Sequence, residues 1–241
     1  MSFLKNVQIK QYKNGKYSDK SDIIIEEKNL DIFINGNKFS VRLLSEHIEY
    51  FIYGYLFTNF FISSLDDLVD LNIDKNEIKV KIKEGLNIPK NFALVSSCFS
   101  SGEAFAELSP VEHLIEIDPE LIIRNTELFV KQGRYFEETG GTHLAALFKE
   151  DELIISFEDI GRHNAIDKIT GYILKEKIST EDHMIFTTGR ISSEIVKKII
   201  RANVPLIVSR SAVTCAAINT AQIFNLKVIG FSRNKRFNLY T

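Results

Sequence analysis

Two cysteines in a chain of 241 residues are too few for a disulfide framework, and Cys98 and Cys215 lie too far apart for a metal knuckle. A free thiol persists in a reducing compartment, so the chain reads as cytoplasmic. No apolar run approaches the roughly 20 residues of a membrane-spanning helix. The polar, Lys-rich stretch from Met1 to Asp22 lacks the apolar segment of a secretory signal. An excess of one charge is missing too: 30 basic against 32 acidic residues leave a net charge of −2, with no global reason to bind nucleic acid or an anionic membrane. Any anion site must therefore be local. Repeats and low-complexity tracts are absent.

What remains is a globular composition, 44% hydrophobic and 26% charged, long enough to bury a core as one large domain or two modest ones. Residues 23 to 44 alternate as strands around Asn35-Gly36, a dipeptide suited to a two-residue hairpin because both positions tolerate positive φ. Ser45 is the expected N-cap of a helix running to about Thr58, with Ile48, Phe51, Ile52, Tyr55 and Leu56 inward. The aromatic side chains of that helix, Tyr50, Phe51, Tyr53, Tyr55 and Phe57, read as core, and any surplus on its exposed face would suit a partner or a second copy of the chain. Asn76 to Lys83 alternates as a half-buried strand.

Phe92 to Val95 is a short apolar strand running into the hydroxyl-rich loop Ser96-Ser97-Cys98-Phe99-Ser100-Ser101-Gly102. A boundary near Ser109-Pro110 divides the chain into a smaller α+β part, residues 1 to 110, and an α/β part, residues 111 to 241. Asp118-Pro119 then starts a helix expected to reach about Tyr135, with Asp as cap and Pro at the first helical position.

The stretch from Glu138 to Lys168 carries the densest chemistry. Its middle is a hairpin, Leu144 to Phe148 and Leu153 to Phe157, so its polar ends converge: Thr139-Gly140-Gly141-Thr142-His143 leading in, and Glu158-Asp159-Ile160-Gly161-Arg162-His163-Asn164 leading out into a helix. Here Arg162 can meet a phosphate and His163 can act by hydrogen bonding or proton transfer, and the bland alternative, compatible with these roles, is that Asp159 and Asn164 cap the helix and Asp167-Lys168 is a solvated pair. Further on, Met184-Ile185-Phe186, Leu206-Ile207-Val208 and Val228-Ile229-Gly230-Phe231 alternate with helices around residues 193–202 and 214–224, a pattern that implies parallel strands with crossover helices. Each strand is followed by a polar basic loop: Thr187-Thr188-Gly189-Arg190, Ser209-Arg210-Ser211, and Ser232-Arg233-Asn234-Lys235-Arg236. Three such loops on one sheet edge suit a phosphate or nucleotide. Capping Ser and Thr beside solvated Arg is the structural alternative.

Together, Glu138-Thr-Gly-Gly-Thr-His143, Glu158-Asp-Ile-Gly-Arg-His-Asn-Ala-Ile-Asp-Lys168, Thr188-Gly-Arg-Ile-Ser-Ser-Glu194, Gly230-Phe-Ser-Arg and Asn238-Leu-Tyr240 resemble the FdhD family of formate dehydrogenase accessory sulfurtransferases. Ile34-Asn35-Gly36 and Gly54-Tyr55-Leu56-Phe57 extend the resemblance over most of the chain. It implies a cytidine deaminase-like fold in the C-terminal part. It also implies transfer of persulfide sulfur from a cysteine desulfurase to the molybdenum or tungsten bis-(molybdopterin guanine dinucleotide) cofactor for the catalytic subunit of formate dehydrogenase. GDP is the natural surrogate for that cofactor. Cys98 aligns with the sulfur-carrying first Cys of a Cys-x-x-Cys loop, and Ser101 stands where the second would be.

On this reading Cys98 is the catalytic thiol, and Cys215, in a small-residue helix opening, serves close packing. Phe231, Ser232, Arg233, Asn234, Lys235 and Arg236 hold the cofactor with Thr188, Gly189, Arg190, Ser209, Arg210, Gly140, Gly141, His143, Arg162 and His163. No metal ligation by the protein is expected, because His143 is not followed by the His-x-Glu pattern of zinc deaminases and the Cys98 loop has no second thiol. Two rivals stay open: a non-catalytic cofactor chaperone with Cys98 incidental, and a nucleotide hydrolase or deaminase using His163 and Glu158.

Overall fold

The computed structural model describes residues 3–74, 77–86 and 108–241. The strand expected at Phe92 to Val95, the Cys98 loop and Ser101 lie outside them. The described residues form three sheets. Strands β1 (Leu4–Lys13) and β2 (Lys16–Ile25) pair only with each other, in a ribbon turned at Asn14-Gly15 with both residues at positive φ. The ribbon is not among the elements expected from the sequence, although its Asn-Gly turn carries the same signal as Asn35-Gly36.

The second sheet has the order β4-β3-β6-β5. Strands β3 (Lys28–Ile34) and β4 (Asn37–Leu43) form the expected hairpin, with Asn35 at φ 44° and Gly36 at φ 84°. Strand β6 (Glu77–Ile82) runs parallel to β3 and antiparallel to β5 (Leu68–Ile73). Its buried Ile78, Val80 and Ile82 join Leu30, Ile32 and Ile34 under helix α1 (Ile48–Thr58), which contributes Phe51, Ile52 and Leu56. Tyr53 and Tyr55 are also buried, so the aromatic content of α1 is mostly core. The helix starts later than expected: its N-cap is His47, held in the left-handed region, and not Ser45.

The third sheet has the order β12-β11-β10-β9-β7-β8. Helix α2 (Pro119–Val130) is capped as expected by Asp118, which accepts from the backbone N–H groups of Glu120 and Leu121. It stops short of Tyr135, and a separate short helix α3 (Arg134–Thr139) follows. The break is stabilised from afar. The Glu158 carboxylate accepts the N–H groups of Tyr135 (2.8 Å) and Phe136 (2.7 Å), an anion set on the orphan donors of a helix start.

Strands β7 (His143–Lys149) and β8 (Glu152–Asp159) form the predicted hairpin, and helix α4 (Arg162–Glu176) follows. Strands β9 (His183–Thr187), β10 (Leu206–Ser209) and β11 (Lys227–Arg233) pair in parallel as expected. Helices α5 (Ser193–Arg201) and α6 (Cys215–Ile223) connect them. The segment from Phe231 to Arg236 is not a loop: β11 continues through Arg233, turns at Asn234-Lys235 and returns as edge strand β12 (Arg236–Leu239).

This sheet is covered on both faces, which is why its strands read as unbroken apolar runs. On one face Ala145, Leu147, Ile185 and Ile207 pack under α4, α5 and α6 through residues such as Ile166, Ile169 and Ile199. On the other, Leu144, Phe148, Phe186 and Ile229 pack against Ile122 and Phe129 of α2. Helix α4 is buried almost all round because α1 covers its remaining side. The two helices touch backbone to backbone. A Cβ built on Gly54 would lie 1.8 Å from the Asp167 carbonyl oxygen, and one on Gly171 would lie 1.8 Å from that of Tyr50.

Asp167 and Lys168 are not a solvated pair. Both are buried, and they face different partners: Asp167 is bridged by Lys198 of α5 (2.7 and 2.9 Å), and Lys168 pairs with Asp159 (2.7 Å). Thr58, the last residue of α1, donates to Asp167 (2.7 Å) and accepts from Lys198 (2.8 Å). Among the described residues no helix is long and apolar enough to cross a membrane.

Candidate functional site

Antiparallel pairing places His143 opposite Asp159, so the two ends of the β7–β8 hairpin meet as the sequence implied. The turn after β9 closes on them. Leu144 N–H donates to Thr188 Oγ1 (3.0 Å), Thr188 N–H donates to the Leu144 carbonyl (3.0 Å), and His143 Nδ1 lies 3.4 Å from the same hydroxyl. Gly189 carries the turn under Arg162: a Cβ there would sit 2.7 Å from Arg162 Cβ and 3.0 Å from its Cδ. Only a residue without a side chain lets the guanidinium stem cross at this point. Asp159, His143, Thr188, Gly189 and Arg162 thus form one continuous arc at the carboxyl edge of β9.

The next two turns interlock with it. Ser209 Oγ donates to the Gly189 carbonyl (2.6 Å) and accepts from Ser211 N–H (2.9 Å), while Arg210 N–H donates to the Thr187 carbonyl (3.1 Å). Phe231 N–H donates to the Ser211 carbonyl (2.9 Å). Phe231 has φ 53°, in the left-handed region that a bulky side chain rarely occupies, at an irregularity in the β11–β12 pairing between Gly230 and Arg233. Strain of this kind persists only where the surroundings hold it, and it concentrates at working sites. The Arg233 guanidinium lies 5.5 Å from the centre of the Phe231 ring.

The electrostatics are one-sided. Parallel pairing of β9, β10 and β11 sets the turns carrying Arg190 and Arg210 on the sheet edge toward which β11 runs, Arg233, Lys235 and Arg236 follow on the β11–β12 hairpin beyond it, and none of the five forms an ion pair with a described carboxylate. Arg190, Arg233, Lys235 and Arg236 are exposed. Burial and then the Arg162 charge hold the His143 imidazole below its ordinary range. His163 is pushed down to about 2, first by burial and then by the charges of Lys198, Arg162, His143 and Arg190. Both rings are therefore neutral near pH 7, hydrogen-bonding groups in a field that would repel a further proton and attract an anion.

The residues expected at the site divide by how their polar groups are used. Thr188, Gly189, Arg190, Arg210, His143, Arg162, Phe231, Arg233, Asn234, Lys235 and Arg236 fall on the arc or the basic edge, whereas His163 is buried at 1% exposure. Ser209 and Ser232 are buried, and Ser232 Oγ lies 2.6 Å from Thr126 Oγ1 of α2, so their hydroxyls face the protein interior. Gly140 ends α3 at φ 66° with open space around it, and a Cβ on Gly141 would meet Ile25 at 2.7 Å, so Gly140 serves the helix end and Gly141 accommodates the end of the β1–β2 ribbon. Cys98 lies outside the described residues. Cys215 is exposed at the first turn of α6, not packed. Among the described residues no group of three or more His, Cys, Asp or Glu side chains converges as a metal-ligand set.

Residues 25–241 match the model of the FdhD/NarQ family. The chain belongs to this family. Similar chains include the sulfur carrier protein FdhD of Sulfolobus acidocaldarius, 34% identical across 99% of this chain and 96% of the relative. That of Bacillus pumilus is 31% identical across 97% and 94%. That of Wolinella succinogenes is 32% identical across 99% and 88%. Among solved structures, a candidate formate dehydrogenase accessory protein from Desulfotalea psychrophila superposes with a TM-score of 0.87 over 100% of this chain and 98% of its own. At 22% identity that likeness speaks for the fold. The family segment begins where the β1–β2 ribbon ends.

Proposed function

We propose that this chain is a sulfur carrier of formate dehydrogenase maturation, binding a guanine dinucleotide cofactor on the basic edge and carrying persulfide sulfur on Cys98. The observation that carries the binding half is the set of Arg190, Arg210, Arg233, Lys235 and Arg236, with Arg162 and the neutral His143 imidazole on the adjoining arc. Such a set neutralises a pyrophosphate through charge-assisted hydrogen bonds, and the exposed Arg side chains offer the planar forks that phosphate oxygens accept. The Phe231 ring supplies a face for a base. The six-stranded unit, with helices on both faces, is read as cytidine deaminase-like.

The sulfur half rests on the names of the relatives and on Cys98. The Cys98 thiolate attacks the terminal sulfur of a donor persulfide on a cysteine desulfurase. A new sulfur–sulfur bond forms at Cys98, the donor bond breaks, and the donor cysteine leaves as thiolate, with no net redox change. The molybdenum or tungsten bis-(molybdopterin guanine dinucleotide) cofactor is the acceptor substrate, and the catalytic subunit of formate dehydrogenase is its destination. Ser101, in place of a second Cys, favours one alternative: a cofactor chaperone in which Cys98 is incidental.

Intact-protein mass spectrometry after incubation with a cysteine desulfurase and cysteine separates the two. A gain of about 32 Da that requires Cys98 and survives Cys215→Ala is expected. No adduct with a competent donor, or one that survives Cys98→Ala, leaves the chaperone reading. Calorimetric titration with GDP tests the binding half, and a wild-type protein that does not bind GDP refutes it.

A further inference from the structure

Asp159 is a carboxylate with no access to solvent, and both of its oxygens are saturated. Oδ2 accepts from Lys168 Nζ (2.7 Å) and Leu44 N–H (3.2 Å), and Oδ1 from Gly161 N–H (3.1 Å) and Asn164 Nδ2 (2.9 Å). Lys168 Nζ spends its other donors on the carbonyls of Leu44 (3.1 Å) and Glu158 (3.1 Å), which matches the three donors of an ammonium. Asn164 also donates to the Arg42 carbonyl (2.8 Å).

A buried pair of this kind is a poor way to add stability, because apolar side chains of similar volume often serve as well. Its ligands here are mostly main-chain groups, and they belong to two segments. One is residues 42–44, at the end of β4. The other is residues 158–161, the path from β8 into α4, and Arg162 leaves the chain at the next position to cross Gly189.

We infer that Asp159 and Lys168 are positioning residues for the anion site, a buried clamp that sets the main-chain path into α4 and so the point at which Arg162 meets the Thr188-Gly189 turn. The inference rests on the binding half of the proposed function. The clamp touches no ligand. It acts by fixing the stem of a guanidinium whose fork must match phosphate oxygens, and small displacements of such a fork are costly.

The test is calorimetric titration of the full chain with GDP, well below the melting transition. The double variant Asp159→Leu/Lys168→Met removes both charges together and leaves neither unpaired. Its GDP affinity should fall by about tenfold or more, the loss usual when an outer residue orients a binding group. Ile78→Ala, which hollows the core of the β4-β3-β6-β5 sheet away from α4, should unfold more readily and still bind GDP as the wild type does.

If the double variant does not fold, Asn164→Ala removes only one tether, and its affinity should fall several-fold. The inference is overturned if a folded clamp variant binds GDP with wild-type affinity, or if affinity falls equally in Ile78→Ala and simply tracks stability. A wild-type protein that does not bind GDP overturns the anion site itself, and the inference with it. That outcome is recognised because it needs no variant.

Discussion

Replacing Gly54 by Ala sets two effects of opposite sign against each other at a single methyl group. Helix propensity alone predicts a gain, since Gly is worth about 1 kcal/mol less than Ala inside a helix. The packing predicts a loss. The added Cβ would lie 1.8 Å from the Asp167 carbonyl oxygen, where ordinary contact begins near 3.4 Å, so α1 and α4 must part by about 1.6 Å at the crossing. The obstacle is main chain, and it cannot swing aside as a side-chain end can.

Overpacking costs about 1–3 kcal/mol when neighbours adjust. Here the adjustment would also stretch the Thr58–Asp167 hydrogen bond (2.7 Å), so the upper end applies. The net expectation is a destabilisation of about 2 kcal/mol or more, or about 4–8 °C in melting temperature for a chain of this size. Urea titration followed by circular dichroism reads it directly, with Gly171→Ala as the reciprocal variant. An unchanged or raised midpoint with an unchanged slope in either variant would refute the backbone contact.

The buried pair at Asp167 should behave asymmetrically. Lys198→Met alone leaves an uncompensated carboxylate and should cost about 3–5 kcal/mol, most of which Asp167→Leu added to it should restore. His163 predicts a pH dependence. Its folded pKa lies far below its ordinary value of 6.5, so below pH 6.5 the unfolded chain binds a proton that the folded chain refuses. Stability should therefore decline on acidification at up to about 1.4 kcal/mol per pH unit, and a His163→Gln variant should show a flatter profile. Gly189→Ala should push Arg162 aside and weaken GDP binding, measured by calorimetry, with only a small change in melting temperature. Cys215 should react with a maleimide in the native protein, since its thiol is exposed.

Local chemistry was legible in the sequence, and distant partners were not. Asn35-Gly36 and Asp118-Pro119 act within a few residues of themselves, and both turn and helix start formed where expected. The β9–β10–β11 core could be read because burial on both faces leaves unbroken apolar runs. The β1–β2 ribbon packs little of its surface on anything, so its strands lack the apolar alternation that marks a strand.

The helix break before Arg134 depends on Glu158, which lies on a different strand. Cys215 follows from helix phase: Ala217 and Ala221 take the inward positions of α6, and the first residue is turned out. At the site, the basic turns were visible as a pattern. The left-handed Phe231 carried no sequence signal, and the inward turn of Ser209 and Ser232 depends on neighbours supplied by other elements.

Neighbouring residues on a helix point about 100° apart, so Asp167 and Lys168 address two different walls of the protein. One wall offers a cation, Lys198, and the other an anion, Asp159. The dipeptide therefore acts as an orientation mark that fixes the rotational setting of α4. Exchanging the two letters, Asp167→Lys with Lys168→Asp, would alter neither composition nor net charge, yet it would bury ammonium against ammonium and carboxylate against carboxylate. The order of two adjacent residues, invisible to any count, decides which way the central helix can face.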